Sequence, residues 1–104
     1  MNRMVYHGWI SVVKTYLKEK GIHISVRRTR LPPDVEGDCT PVAEDFYRIR
    51  ISRDATYDKA CEALTHELGH VLDGCLHEHG PSWGVSYSEA YALWAKFVEA
   101  CNEQ

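Results

Sequence analysis

Two histidines in one pentapeptide constrain this chain more than any other feature of its sequence. Residues 66 to 70 read His66-Glu67-Leu68-Gly69-His70. Side chains at positions i and i+4 lie one above the other on a helix, so both imidazoles can bind one metal ion if this segment is helical. Glu67 points about 100° away from His66 around the helix, where its carboxylate can reach a water molecule beside the ion. The motif therefore predicts a helix that carries a metal site.

The motif also indicates the chemistry, because a catalytic zinc ion takes three protein ligands and keeps one position open. Zinc lowers the pKa of a water molecule in that position to roughly 7, and a neighbouring carboxylate can then remove its proton. Histidine-rich tetrahedral ligation suits zinc better than other divalent ions. We therefore expect His66 and His70 to be zinc ligands and Glu67 to be the general base of a hydrolytic reaction.

The third ligand must come from elsewhere, and the candidates are Asp73, His77, His79 and Glu89. His79 is preferred because it lies two residues before Pro81, where the last helix is expected to begin. Glu89 lies roughly 120° from the centre of that helix's apolar stripe, a position typical of a solvated charge. His77 shares the loop of His79, whereas Asp73 shares the face of the motif histidines and can instead be a hydrogen-bonding partner of a ligand imidazole. The choice stays open on these grounds, with His79 first.

Apolar residues recur with helical spacing in three stretches, which predict three helices. The first covers Val5–Leu17 near the N-terminus. The second carries the histidine motif; Asp54 or Thr56 can cap its start, and Gly74 suits its end. The third is the C-terminal helix, whose apolar stripe runs from Trp83 to Cys101 and is expected to face the core.

Two further stretches alternate apolar and polar residues with the period of a strand, Ile22–Val26 and Phe46–Ile51. Leu31–Ala43 lies between them, is interrupted by prolines and a glycine, and is predicted to be a loop or wide turn unless it hides a short third strand. The order predicts an α+β domain in which a small, mostly antiparallel sheet packs on the histidine helix. A chain of 104 residues suits one domain, spanning 1–104.

Composition excludes several classes of protein. The chain is 44% hydrophobic with a net charge of -3, which is typical of a globular protein and gives no support for a nucleic-acid surface. No stretch approaches the roughly 18 apolar residues of a membrane span, and the N-terminal segment lacks a signal-peptide cleavage site, so an intracellular, cytoplasmic location is expected. None of the four cysteines forms a C-x-x-C pair. Cys39 is interpreted as a loop thiol, and Cys61, Cys75 and Cys101 as small buried hydrophobic residues.

The histidine motif followed by His79-Gly80-Pro81-Ser82-Trp83 resembles the SprT-like and WLM metallopeptidases, over residues 46 to 98. In that group of zincins, a third histidine opens the next helix in an H-G-P-x-F/W context. The resemblance implies a minimal zincin-like domain with the two motif histidines and His79 as zinc ligands and the motif glutamate as the base. Minimal gluzincins, with Glu89 as ligand, are the second resemblance.

The function that we expect is therefore zinc-dependent hydrolysis of peptide bonds in a protein or peptide substrate. Zincin substrates commonly add as a strand along a sheet edge, and Tyr47–Ile51 is the candidate edge. Tyr87, Tyr91 or His77 can stabilise the oxyanion. The alternative is a non-catalytic zinc-binding regulatory or structural domain that acts through a protein partner. Glu67 favours the enzyme, since a purely structural site has no use for that carboxylate.

Overall fold

The computed structural model describes residues 1–75 and 79–102, and within them it contains three helices and one three-stranded sheet. The elements follow the order α1 (Arg3–Glu19), β1 (His23–Thr29), β2 (Gly37–Ala43), β3 (Phe46–Ser52), α2 (Tyr57–Leu72) and α3 (Pro81–Asn102). The predicted α+β class is confirmed.

The first two helices begin at capping residues that satisfy their free backbone N–H groups. The Asn2 side chain accepts a hydrogen bond of 3.0 Å from the backbone of Val5 at the start of α1. The Thr56 hydroxyl accepts one of 3.2 Å from Lys59 at the start of α2, so Thr56 is the cap. Beyond the end of α2, Gly74 has a φ of 71°, the left-handed conformation that glycine adopts without strain.

The sheet has the order β1-β3-β2, with β3 in the centre. The expected antiparallel pairing joins β2 to β3, with a bulge between Pro41 and Ala43, whereas β1 lies parallel to β3. The segment expected to be a loop, Leu31–Ala43, therefore contains the strand β2. The expectation that Tyr47–Ile51 forms a free edge is wrong, because this segment is hydrogen-bonded on both sides. Among residues 1–75 and 79–102, no strand pairs with the outer sides of β1 and β2, which are therefore the edges of the sheet.

The core lies between the sheet and the helices. Ile49 and Ile51 of β3 are fully buried, as are Trp9 of α1 and Leu64 and Leu68 of α2. These side chains repeat with the strand and helix periods found in the sequence, so one apolar face of each element is covered. The helix α2 is thereby fixed on its sheet side while its histidine face remains open.

The C-terminal helix is less buried than its apolar stripe predicts. Ala90 is fully buried, and Trp94 and Phe97 pack on Trp9 with ring centroids at 5.1 and 5.5 Å, but Tyr91 is 55% exposed and Cys101 is exposed. The reason is that α3 lies on the outside of α2 and α1, and no further described element covers its other side. Within residues 1–75 and 79–102, no helix has both the length and the apolar character that a membrane crossing requires.

Arg28 fixes the turn that leads from β3 into α2. Its guanidinium donates three hydrogen bonds of 2.6 to 3.1 Å to backbone carbonyls in the turn 52–55. The same group lies over the rings of Tyr6 and Tyr57, 5.5 and 5.7 Å from their centroids. A single arginine thus holds the sheet, α1 and the start of α2 in one arrangement, which sets the orientation of the histidine helix.

Candidate metal centre

Three histidines converge at the open face of α2. His66 and His70 stand one turn apart on that helix, with their Nε2 atoms 3.2 Å from each other. His79 lies two residues before α3, and its ring centroid is 5.2 Å from that of each motif histidine. One ring nitrogen of each histidine lies within 4.8 Å of the other two. The structure therefore brings together the three histidines that the sequence favoured as ligands.

The donor set fits a zinc ion. A tetrahedral ion with Zn–N bonds of about 2.0–2.1 Å needs its nitrogen ligands roughly 3.3–3.4 Å apart. The separation of 3.2 Å between the Nε2 atoms of His66 and His70 agrees with this distance. The ring nitrogen of His79 lies within 4.8 Å of theirs, so a small movement of its exposed side chain would bring it to a ligand position. Burial, followed by the neighbouring histidines, lowers the pKa of His66 and of His70. Lowered pKa values favour neutral imidazoles, the form that binds metal.

Glu67 lies beside the histidines but is more deeply buried than they are. It is 6% exposed, and its carboxylate lines a cleft of about 420 Å³ together with His66. Burial raises the pKa of Glu67 to about 7, with a smaller contribution from the charge of Asp38. A carboxylate with this proton affinity can both accept and return a proton near neutral pH. It lies on the cleft side of α2.

The cleft has an acidic wall that the sequence did not indicate. Asp34, Glu36 and Gly37 line it from the segment that enters β2, and Glu62 lines it from α2. The cleft thus lies between the entry to β2 and the histidine face of α2, and a polypeptide passing along it would meet Glu67. Asp34 and Glu36 lie in a segment expected to be a loop, so nothing in their spacing linked them to α2.

Two aromatic residues of α3 form a wall over the histidines, and one of them, Tyr87, also lines the cleft. The Trp83 ring lies 5.2 Å from His66, 5.4 Å from His70 and 4.4 Å from His79 between centroids, and it stacks on Tyr87 at 4.9 Å. As the first residue of the apolar stripe of the C-terminal helix, Trp83 was expected to face the core. The available signal was the i, i+4 spacing of Trp83 and Tyr87 directly after His79, which places both on one helix face.

Gly69 of the motif allows this wall to approach the histidine helix. A Cβ atom on Gly69 would lie 3.2 Å from the Cα atom and 3.3 Å from the ring of Tyr87. Gly69 carries no side chain, and α3 therefore packs closely on α2 at this position between the two motif histidines.

Of the other ligand candidates, the structure brings neither Glu89 nor Asp73 into the cluster. Glu89 faces α1, where its carboxylate accepts a hydrogen bond from the Tyr16 hydroxyl and pairs with Lys20 at 3.4 Å. Asp73 is the C-cap residue of α2, and its charge acts on His70 in the direction that raises the pKa. His77 lies outside the described residues. Of the oxyanion candidates, Tyr87 lines the cleft, and Tyr91 is exposed farther along α3.

In comparisons with known proteins, no protein-family model, curated protein or solved structure matches this chain. The function is therefore argued from three features of the site itself. These are the converging imidazoles, the buried Glu67 and the cleft that Glu67 and His66 line.

Proposed function

We propose that this protein is a zinc-dependent metallopeptidase in which His66, His70 and His79 hold the ion and Glu67 is the general base. The observation that carries the proposal is the buried carboxylate of Glu67, which lines an open cleft next to three imidazoles that fit a zinc ion. A bound zinc ion would supply a Lewis acid that makes a water molecule acidic near neutral pH and polarises a substrate carbonyl.

Glu67 would move the protons of the reaction. Its carboxylate accepts a proton from the attacking water and later delivers it to the nitrogen of the leaving peptide. Burial raises the pKa of Glu67, so its surroundings favour uptake of the proton that the second step delivers. The dry surroundings also strengthen its interaction with the positively polarised hydrogen of the water.

An extended polypeptide is the substrate that fits the cleft. The strand β2 is a free edge of the sheet, and its first residue, Gly37, lies at the cleft. Backbone groups of such an edge can pair with an added strand, so β2 takes the role first assigned to Tyr47–Ile51. Tyr87, which also lines the cleft, can donate its hydroxyl hydrogen to the oxyanion that develops at the cleaved carbonyl.

The competing proposal is a zinc-binding domain without activity, which would act through a protein partner. A structural zinc site closes all four positions with protein ligands. Among residues 1–75 and 79–102, the cluster offers three histidines and leaves Glu67 in the cleft beside them. That arrangement favours catalysis over a structural role.

The test combines metal content with activity in matched variants. Purified wild-type, His79→Ala, Glu89→Ala and Glu67→Gln proteins are loaded with zinc, dialysed and measured by elemental analysis. Each is then incubated with an unstructured protein such as casein. We expect one zinc per chain in all but His79→Ala, and a loss of about 10²-fold to 10⁴-fold in hydrolysis for Glu67→Gln.

Each part of the proposal has its own contradicting result. Absence of zinc from the wild-type protein would remove the metallopeptidase assignment altogether. Loss of zinc in Glu89→Ala with retention in His79→Ala would make Glu89, and not His79, the third ligand. Bound zinc with no hydrolysis in the wild-type protein, under conditions where a control zinc peptidase is active, would favour the non-catalytic domain.

A further inference from the structure

Two cysteines that are distant in sequence meet beside the cleft. Cys39 lies on the edge strand β2 and Cys75 lies three residues after the end of α2, and their Sγ atoms are 3.1 Å apart. This separation is about 1 Å longer than a disulfide bond of about 2.05 Å. The interpretation of Cys39 as a loop thiol and of Cys75 as a buried hydrophobic residue is therefore wrong. Both are half-buried and face each other.

The backbone at Cys75 is unusual for a residue with a side chain. Its φ is 55°, and it follows Gly74 at 71°, so two successive residues are left-handed. Residues other than glycine adopt this conformation rarely, because the Cβ atom is crowded. The backbone N–H of Cys75 also donates a hydrogen bond of 2.7 Å to the carbonyl of His70. The turn thus directs the chain back toward β2 and holds the thiol next to that of Cys39.

We propose that Cys39 and Cys75 form a reversible intrachain disulfide bond that fastens the edge strand β2 to the C-terminal end of the histidine helix. The bond would join the two sides of the cleft, since the start of β2 lines it and α2 carries Glu67 and two of the histidines. The remaining cysteines are placed differently. Cys61 is fully buried in the core, and Cys101 is exposed near the end of α3.

The reaction is thiol–disulfide exchange with a small disulfide oxidant such as glutathione disulfide. The thiolate of one cysteine attacks the oxidant, which forms a mixed disulfide and releases one glutathione thiolate. The thiolate of the second cysteine attacks the protein sulfur of this mixed disulfide and releases the second glutathione. Two protein thiols are oxidised, one glutathione disulfide is reduced to two thiols, and the two protons leave with them. The proximity of the sulfurs favours the second step over a lasting mixed disulfide.

The test is a thiol map of the full chain in glutathione buffers of increasing oxidised fraction. After acid quenching and alkylation with iodoacetamide, trypsin releases Cys39 in residues 31–48 and Cys75 in residues 60–96. We expect these two peptides to be linked, and the linked chain to be about 2 Da lighter than the reduced chain when intact mass is measured before alkylation. The link should form at a lower oxidised fraction than glutathione addition at Cys101.

Matched variants separate this bond from other oxidation. Cys61→Ala should keep the link, which shows that Cys75 is the partner in the 60–96 peptide, and Cys101→Ser should keep it as well. Cys39→Ser and Cys75→Ser should each lose it. The proposal is overturned if Cys39 and Cys75 are alkylated as fully as Cys101 at every buffer ratio, or if Cys39 is linked to any other cysteine. Neither result depends on peptidase activity.

Discussion

At the scale of single residues, surroundings decide which task a glutamate can perform. Glu67 and Glu89 both lie on helices near the cluster. Glu67 is 6% exposed and lines the cleft. Glu89 is exposed, accepts a hydrogen bond from Tyr16 of α1 and forms an ion pair with Lys20 at the end of that helix. Glu67 therefore suits the proton transfer that we propose for it, while Glu89 acts as an acceptor that joins α3 to α1.

The Tyr16 contact gives a prediction about alkaline titration. The hydrogen bond to Glu89 raises the pKa of Tyr16 from 10.0 to about 12, with smaller effects of burial and of the carboxylate charge. The pKa is raised in the folded state, so this contact stabilises the fold fully below pH 10 and loses its effect as the pH rises through about 12. Subtracting the phenolate absorbance of Tyr16→Phe from that of the wild-type protein should give a midpoint near 12.

Removal of the carboxylate charge provides the control for this titration. In Glu89→Gln the Tyr16 midpoint should fall toward the ordinary tyrosine value. Glu99→Gln, an exposed position on the same helix, should leave it where it is. A midpoint of Tyr16 that is the same in the wild-type and Glu89→Gln proteins would contradict the contact.

At the scale of elements, the helices were predictable and one strand was not. Apolar spacing, the Thr56 cap and Gly74 located α2 correctly, because these signals are local in the chain. The strand β2 was left open only as a short strand hidden in the predicted loop, because it holds a glycine and a proline and has no fully buried residue. What makes it a strand is its pairing with β3, a contact between segments that the local sequence does not report.

The packing of α2 on α3 gives the second prediction. Alanine at Gly69 would gain up to about 1 kcal/mol of helix propensity, but overpacking against a close neighbour typically costs about 1–3 kcal/mol. The nearest atom, the Tyr87 Cα at 3.2 Å, belongs to the backbone and cannot turn aside. We expect Gly69→Ala to lower the free energy of unfolding by about 1–2 kcal/mol, measured by urea denaturation.

Gly84 of α3 is the matched control, since nothing lies within 4 Å of a Cβ atom placed there. Gly84→Ala should leave the free energy of unfolding unchanged or raise it by up to about 1 kcal/mol. Equal stabilisation by alanine at both positions would mean that α3 does not pack on Gly69.

At the scale of the whole molecule, the site joins parts of the chain that no local pattern connects. The spacing of His66 and His70 sufficed to place both on one helix face. The third histidine was preferred from its position before Pro81, but its approach to the motif depends on how α3 folds back on α2. The central position of β3 could not be predicted either, because its alternating pattern fits an edge strand as well as a central strand.

Metal removal gives the third prediction. A ligand that binds only the folded state at 1,000 times its Kd stabilises it by about 4 kcal/mol. For a domain of this size, each kcal/mol shifts Tm by roughly 4–8 °C. We expect zinc to raise the Tm of the wild-type protein and a chelator to reverse the shift, measured by differential scanning calorimetry.

Two histidine variants test whether the stabilising zinc ion binds at the histidine cluster. His79→Ala should lose most of the zinc-dependent rise, while His23→Ala, at an exposed position on β1 outside the cluster, should retain it. An identical rise in both variants would place the stabilising zinc elsewhere.

The position of Trp83 has a consequence for observing this protein. Its indole lies over the histidine rings and on Tyr87, whereas Trp9 and Trp94 contact each other in the core. Indole emission responds to nearby protonated imidazoles and to bound ions. A chain in which Trp83 is the sole remaining tryptophan would therefore report events at the histidines by its fluorescence, without a label or a substrate.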